Sequence, residues 1–581
     1  ACGIPYLVGG EVERLDDLVV RSPEEFRDRL HIDVRLHHEA VGVDLDRREV
    51  EVRDHDAART FRLGFDQLVF GTGARPRRPD LPGADRECVF GVQTLDDAAA
   101  LLAHARDSGG SQVVVVGGGY IGLEMAEAFT HRDARVAVVE RAPEVMGTLD
   151  PDMGALVSEA MRRHGIDVRC GTATLGFDEG VVHTEAGDLP ADLVVLGLGV
   201  VPNSELAGDA GIALGAGGAV AVDDRQATDA EGVWAAGDCC ESAHLVTGAK
   251  VHVPLGTVAN KQARVAGTNL AGGDARFPGV VGTAAVKLCA TEIARTGLTE
   301  REATRAGLDH TAVRLDSTTR AGYLPEAPAV TVKMVAERGS GRLLGAQIVG
   351  GSGSAKRIDV VATALHAGMT AHQVAQLDLA YAPPFSPVWD PLLIAARKAG
   401  ERAAGLVAEL TAAGVRAELD DRVDVSFGRR SVDWELKGVP VRVEVGPRDL
   451  AKGSVTLVRR DTGDKTGIPA GEVAPRVTAA LAEAQAALLD GARRRQEERT
   501  VDVSTVEEAT EAARSGFARL SWSAVGEEGE TRLAEQGITV RCLRRPDGSL
   551  PVTGDEADLV ESLAEVGLIV VSVADEGSGC L

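Results

Sequence analysis

The sequence predicts an α/β fold in which one strand–helix layer is nested inside another. Three observations carry this. The first is the stretch 112–140. Gln112-Val113-Val114-Val115-Val116 is the continuous apolar run that a buried parallel strand needs, and Gly117-Gly118-Gly119-Tyr120-Ile121-Gly122 spells G-x-G-x-x-G. A helical pattern follows over 123–129, then a second strand over 134–139 that closes on Glu140. The second observation is a pair of distant segments that read as halves of one further layer. One is a strand running into Gly71-Thr72-Gly73-Ala74-Arg75-Pro76; the other, 228–238, is a short strand ending in Gly237-Asp238. A domain spanning 95–215 would interrupt that layer. The third is composition: 68 glycines with only 3% aromatic residues suit tight strand-to-helix turns and argue against an aromatic-rich sandwich or a base-stacking RNA reader.

Each part of the 112–140 stretch has a physical role. Gly117 permits the tight turn, Gly119 lets the backbone approach a pyrophosphate, and Gly122 permits close packing of helix on strand. The helix N-terminus supplies free N–H groups and partial positive charge. Glu140, 18 positions after the third glycine, is placed to hydrogen-bond a ribose 2′-hydroxyl and to repel a 2′-phosphate. NADH is therefore expected to bind better than NADPH, with Arg141 next door softening the preference. Asp238 offers a carboxylate to sugar hydroxyls.

A net charge of −26 excludes a generic basic protein that coats nucleic acid, though not a local site that reads RNA. The eight cysteines fall at 2, 88, 170, 239, 240, 289, 542 and 580 with no C-x-x-C pair, which reads as reduced thiols in a cytoplasmic protein and predicts no metal site. No run of 18 apolar residues occurs, so no membrane helix is expected. The opening Ala1-Cys2-Gly3-Ile4-Pro5-Tyr6 has neither an initiator Met nor a leading strand, and an N-terminally incomplete chain is expected. Composition shifts near 395–410. Beyond it the patterns predict a helix over 403–413, a strand over 415–419, a strand-like stretch over 434–445 and a long helix over 476–499, with Arg493-Arg494-Arg495 on a solvated face.

Residues 1 to about 397 resemble the flavin- and pyridine-nucleotide-dependent disulfide oxidoreductases, in the branch of the coenzyme A-disulfide reductases and NADH oxidases. Cys2-Gly3-Ile4-Pro5-Tyr6, Thr72-Gly73-Ala74-Arg75-Pro76, the 117–122 glycines, Ala236-Gly237-Asp238, Asn260-Lys261-Gln262, Thr296-Gly297-Leu298-Thr299-Glu300, Ala321-Gly322-Tyr323 and Tyr381-Ala382-Pro383-Pro384 carry the resemblance. It implies an FAD-binding domain in two parts, 1–94 and 216–281, an NAD(P)-binding domain over 95–215 and an α+β dimerisation domain over 282–397. The family's first glycine fingerprint would lie before Ala1. Residues from about 403 to 560 resemble the C-terminal part of archaeal-like prolyl-tRNA synthetase, through Phe427-Gly428, 431–450, Arg459-Arg460-Asp461 and 542–550. This implies an α/β anticodon-binding-like domain over 403–490, its first strand replaced, and a small C-terminal α/β domain over 491–581. No class II catalytic domain accompanies them, so aminoacylation is not expected.

The first resemblance implies FAD and NADH or NADPH as cofactors, a homodimer, and a small disulfide such as coenzyme A disulfide as substrate. Cys2 would be the redox centre. No second cysteine lies within C-x-x-x-x-C reach and the family's His–Glu base is missing from 377–386, so the chemistry would run through a single thiol and a mixed disulfide. Read from the residues alone, Cys2 is also compatible with a frayed terminal thiol. Val41, Thr72, Gly73, Gly237 and Asp238 would hold the flavin, and Asn260 and Lys261 would line the substrate thiol site, against the plainer reading of a helix start and a surface charge. Tyr323 and Tyr381 would reach the cysteine of the second subunit, their hydroxyls stabilising a leaving thiolate. NADH oxidase or peroxidase activity is the rival within this class. The second resemblance implies that Glu435, Arg442, Arg448 and Lys465 read the guanines of a proline anticodon, with weak, salt-sensitive tRNA binding.

Overall fold

The computed structural model describes residues 2–107, 111–403, 405–418, 420, 427–445, 454–544 and 560–565. Two compact units divide the chain, Ala1–Gly405 and Leu406–Leu581.

In the first unit the apolar run forms the central strand of a five-stranded parallel sheet. Its order is Val89–Phe90, Leu193–Leu196, Gln112–Val116, Arg135–Glu140, Asp167–Cys170. Val113–Val116 and Leu193–Leu196 are buried throughout, as a sheet covered on both faces requires. Helices Leu95–Asp107, Tyr120–Thr130 and Pro151–Arg163 connect its strands. The second layer is built from the two distant segments: Val233–Ala235 pairs in parallel with Leu68–Phe70, and Val200–Pro202 pairs antiparallel with Ala74–Pro76. About 160 residues of chain separate those parallel partners, so the nesting read from the sequence is realised in hydrogen bonds.

A three-stranded meander, His38–Asp44, Glu49–Asp54 and Arg59–Gly64, flanks this layer. A five-stranded antiparallel sheet then runs in the order Ala284–Leu288, Thr291–Gly297, Leu343–Gly350, Ala329–Glu337, His310–Thr318. Its second and third strands bury Ile293 and Val349 in one cluster with Val113, Met125 and Phe129 of the parallel layer, so the two layers share a core.

The second unit holds an antiparallel sheet of Val441–Glu444, Ser454–Arg459 and Lys465–Pro469, packed on helix Val473–Glu498 through Val455, Leu457, Val477 and Ala480. A four-stranded sheet follows, in the order Thr500–Asp502, Phe517–Ser521, Val560–Glu565, Ile538–Arg544. Two expectations are corrected here. Residues 415–418 form no strand: Val415 and Ala417 pack one-sidedly against the core, which mimics the alternation of a ladder. The stretch 434–445 is not one strand. Helix Phe427–Leu436 takes in Trp434, and Gly438 at φ +79 ends it before the strand begins at Val441. Among the described residues, no helix is long and apolar enough to cross a membrane.

Candidate functional site

The glycine turn is closely fitted to its neighbours. Gly117 sits at φ +100, and a Cβ there would lie 2.6 Å from the Gly197 carbonyl oxygen. A Cβ on Gly122 would lie 2.0 Å from the Gly117 oxygen, so any side chain would push the helix off the strand. Gly119 caps helix Tyr120–Thr130 with no side-chain bond to its first N–H groups. A helix N-terminus of this kind suits an anion such as a pyrophosphate. The Glu140 carboxylate is fixed from both ends: Gly118 N–H donates to Oε2 (2.8 Å) and Ala142 N–H to Oε1 (2.7 Å). It is held at the strand terminus.

The second layer brings Thr72 and Gly73 next to Gly237 and Asp238. Thr72 Oγ1 donates to the Asn203 carbonyl (2.5 Å), Asn203 Nδ2 returns a bond to the Thr72 carbonyl (3.0 Å), and Gly73 lies at φ +67. Gly237 lies at φ +92 and its N–H donates to Gln262 Oε1 (3.0 Å). Asp238 accepts at its carbonyl from His252 Nε2 (2.7 Å), while carboxylate oxygen Oδ1 is buried with no hydrogen-bond partner. Burial pushes that carboxyl above its ordinary range, against the pull of His252. A buried acceptor without a partner has room for a hydrogen-bond donor, and these residues are compatible with the hydroxyls of a flavin's sugar-alcohol chain. Val41 falls at a β-bulge: the pairing of His38–Asp44 with Glu49–Asp54 skips it between Ala40 and Gly42.

Gln262 stands in the Asn260-Lys261-Gln262 motif, but sequence reasoning assigns it no role of its own. It is fully buried, and besides holding Gly237 it donates to the Glu241 carbonyl (3.2 Å) and Ser242 Oγ (3.0 Å), bracing the turn that presents Asp238. Its neighbours Asn260 and Lys261 lie on the exposed side of helix Gly256–Leu270, and Asn260 Nδ2 donates to the Gly256 carbonyl (2.8 Å). Cys239 and Cys240 are buried, each thiol 3.4 Å from backbone carbonyl oxygens, which fits plain packing.

Cys2 is exposed. It precedes helix Ile4–Gly9, which is pinned to helix Tyr120–Thr130: Ile4, Leu7 and Val8 are buried with Met125 and Phe129, and Arg132 Nη1 donates to the Val8 carbonyl (3.0 Å). The thiol is thereby tied to the nucleotide layer. Tyr323 and Tyr381 project from the antiparallel-sheet layer, 75% and 50% exposed, on loops joined by the Ala321 N–H to Pro383 carbonyl bond (3.1 Å). Phe385 and Trp389, close to Tyr381 in sequence, are exposed as well. Arg357 anchors this segment from below, pairing with Asp390 (3.0 Å) and donating to the Phe385 carbonyl (2.9 Å).

In the second unit Arg442 Nη1 contacts Glu435 (3.0 Å), its Nη2 contacts Glu444 (3.0 Å), and Lys465 contacts Glu444 (3.2 Å). Three of the four anticodon-reading candidates therefore share one charge network; Arg448 lies outside the described residues. Glu435 stands on a helix and Arg442 on a strand, so they are not parts of one strand.

A thiol tied to one dinucleotide layer, itself nested in another, defines the class as nucleotide-linked redox enzymes. Residues 2–263 match the family model for pyridine nucleotide-disulphide oxidoreductases and 283–392 match its dimerisation domain. An NAD(P)H coenzyme A polysulfide/persulfide reductase of Pyrococcus horikoshii is 39% identical over 402 residues, covering 68% of this chain and 88% of that protein. The chain belongs to the pyridine nucleotide-disulphide oxidoreductase family. The solved structure of an NAD-dependent persulfide reductase from A. fulgidus is similar at 40% identity and a TM-score of 0.67, over 70% of this chain and 76% of that one. Residues 389–480 match an anticodon binding domain. A proline–tRNA ligase of Frankia casuarinae is 56% identical over 157 residues, 27% of this chain and 34% of that protein, so the chain spans about a third of that relative's length.

Proposed function

We propose that this oxidoreductase reduces coenzyme A disulfide, or a related small disulfide or persulfide, at the expense of NAD(P)H, with FAD as cofactor and Cys2 as its redox thiol. The observation that carries the reading is the buried, unpartnered Asp238 oxygen beside Gly237, opposite Thr72 and Gly73. It supports reading the second layer as a flavin seat, beside a pyridine-dinucleotide seat in which Gly117, Gly119, Gly122 and Glu140 would hold the pyrophosphate and ribose. Bound FAD supplies the two-electron relay from NAD(P)H. The protein's own part is thiol chemistry and positioning. The Cys2 thiolate attacks one sulfur of the disulfide, a new S–S bond forms to that sulfur, and the other leaves as a thiolate. Tyr323 and Tyr381, contributed across a homodimer, donate to the leaving sulfur, and Asn260 and Lys261 border the substrate's path.

The test is product accounting. With FAD, NADH and coenzyme A disulfide under nitrogen, free thiol appears in step with NADH loss. NADH loss that requires oxygen and releases no thiol would instead make the chain an oxidase. The unit beyond residue 405 is proposed to bind a proline anticodon stem-loop weakly, on the strength of the Glu435–Arg442–Glu444–Lys465 network. The same carboxylates compete with bases for Arg442, which keeps that binding weak. Equal binding of a stem-loop whose two anticodon guanines are replaced would overturn base reading.

A further inference from the structure

Helix Tyr120–Thr130 carries a second set of chemical groups at its far end, unused by the scheme above. Glu127 and His131 are four residues apart and so share a face. Opposite them lies the two-residue hairpin loop between Ala284–Leu288 and Thr291–Gly297, where Cys289 adopts φ +50. Glycine is the unstrained residue there. One ligand atom from each of Glu127, His131 and Cys289 lies within 4.8 Å of the other two. Glu127 is only 7% exposed, and its Oε1 accepts the Cys289 N–H (2.8 Å), an orienting bond of the kind that fixes a metal ligand. His131 Nε2 lies 3.9 Å from the same oxygen. Lys287 Nζ, 3.8 Å away, now balances the carboxylate from a half-exposed chain that can swing into solvent.

We propose that Glu127, His131 and Cys289 bind a divalent cation of the zinc class. Carboxylate, imidazole and thiolate are the donors this ion takes, at about 2.0–2.3 Å. Ligand atoms around such an ion stand roughly 3.3–3.8 Å apart, so atoms now within 4.8 Å of one another need draw in by only about an ångström. Binding displaces the Cys289 thiol proton to solvent, and a water completes the tetrahedron. The ion ties the end of the nucleotide helix to the antiparallel sheet. The spacing 127, 131, 289 resembles no metal motif, which is why the sequence predicts none.

Cobalt(II) is the probe, because thiolate ligation gives it a charge-transfer band. The full chain titrated with cobalt(II) develops that band, and zinc(II) bleaches it. Cys289→Ser and His131→Ala each weaken binding by about 10- to 100-fold or more, while Cys2→Ser leaves it unchanged. Lys287→Met tightens it. As a second readout, zinc(II) raises the melting temperature of the parent chain and not that of Glu127→Gln. No band, a band that survives Cys289→Ser, one that vanishes in Cys2→Ser, or an equal zinc shift in Glu127→Gln would each overturn the proposal.

Discussion

Glu140 and Asp238 are two carboxylates with opposite settings. Both oxygens of Glu140 accept backbone N–H bonds, whereas Asp238 keeps one oxygen buried and unpaired. Glu140 therefore stitches the glycine turn, besides the ribose contact proposed for it. Charge-assisted bonds of this kind are worth about 1.5–3 kcal/mol. Glu140→Ala is expected to weaken NADH binding by about tenfold or more and to narrow the gap to NADPH, as read by quenching titrations with both nucleotides. A variant that still prefers NADH as strongly would contradict the assignment. Arg442→Ala should lower stem-loop binding and flatten its salt dependence, measured by fluorescence anisotropy across a salt series. Glu140 was legible because strand, turn, helix and strand fix its distance from the glycines. The role of Gln262 was not: it was visible only as a motif letter beside Asn260 and Lys261, because a buried amide bracing a turn leaves no periodic trace.

At the scale of elements, segments with one partner were read correctly and segments with mixed partners were not. Gln112–Val116 is covered on both faces, so its apolar run could only be a buried strand or a buried helix, and its flanking glycines decided. The stretch around Trp434 ends a helix, yet its indole Nε1 donates to Asp420 (2.6 Å) and so counts as half-buried in either pattern. The Tyr381 segment has no regular structure and depends on one buried ion pair, Arg357 with Asp390. Breaking such a pair leaves an uncompensated charge, at about 3–5 kcal/mol. Asp390→Ala should cost stability of that order in a denaturant melt and lower disulfide turnover while NADH binding is kept. Unchanged turnover would mean that the Arg357–Asp390 pair is not what holds the Tyr381 segment in a working position.

At the scale of the whole molecule, the layers of the first unit are locked by charge as well as by apolar packing. Lys333, buried on the antiparallel sheet, pairs with Asp150 (3.3 Å), Asp152 (2.7 Å) and Glu300, and Gln347 donates to Asp150 (2.7 Å). Burial alone would raise the Asp150 carboxyl; the bonds from Gln347 and the Glu300 N–H, with Lys333 beside it, outweigh that and hold it below the usual range. A depressed carboxylate stabilises the fold above its unfolded pKa and loses that contribution as pH falls through the folded value. Melting temperature should therefore drop below about pH 4, and Asp150→Asn should be less stable at neutral pH with a flatter acid limb. A parallel pair of pH curves would contradict this. None of that network was legible, because its members are spread over 150–347. The nesting was, because each half of the interrupted layer ends in its own short motif.

The most direct test of the account is where coenzyme A attaches. The chain is incubated with coenzyme A disulfide without reductant, digested, and mapped by peptide mass spectrometry. The account predicts a coenzyme A adduct on the Cys2 peptide, removed when FAD and NADH are added, and no turnover in Cys2→Ser. An adduct confined to another cysteine, or sustained disulfide reduction by Cys2→Ser, would contradict it.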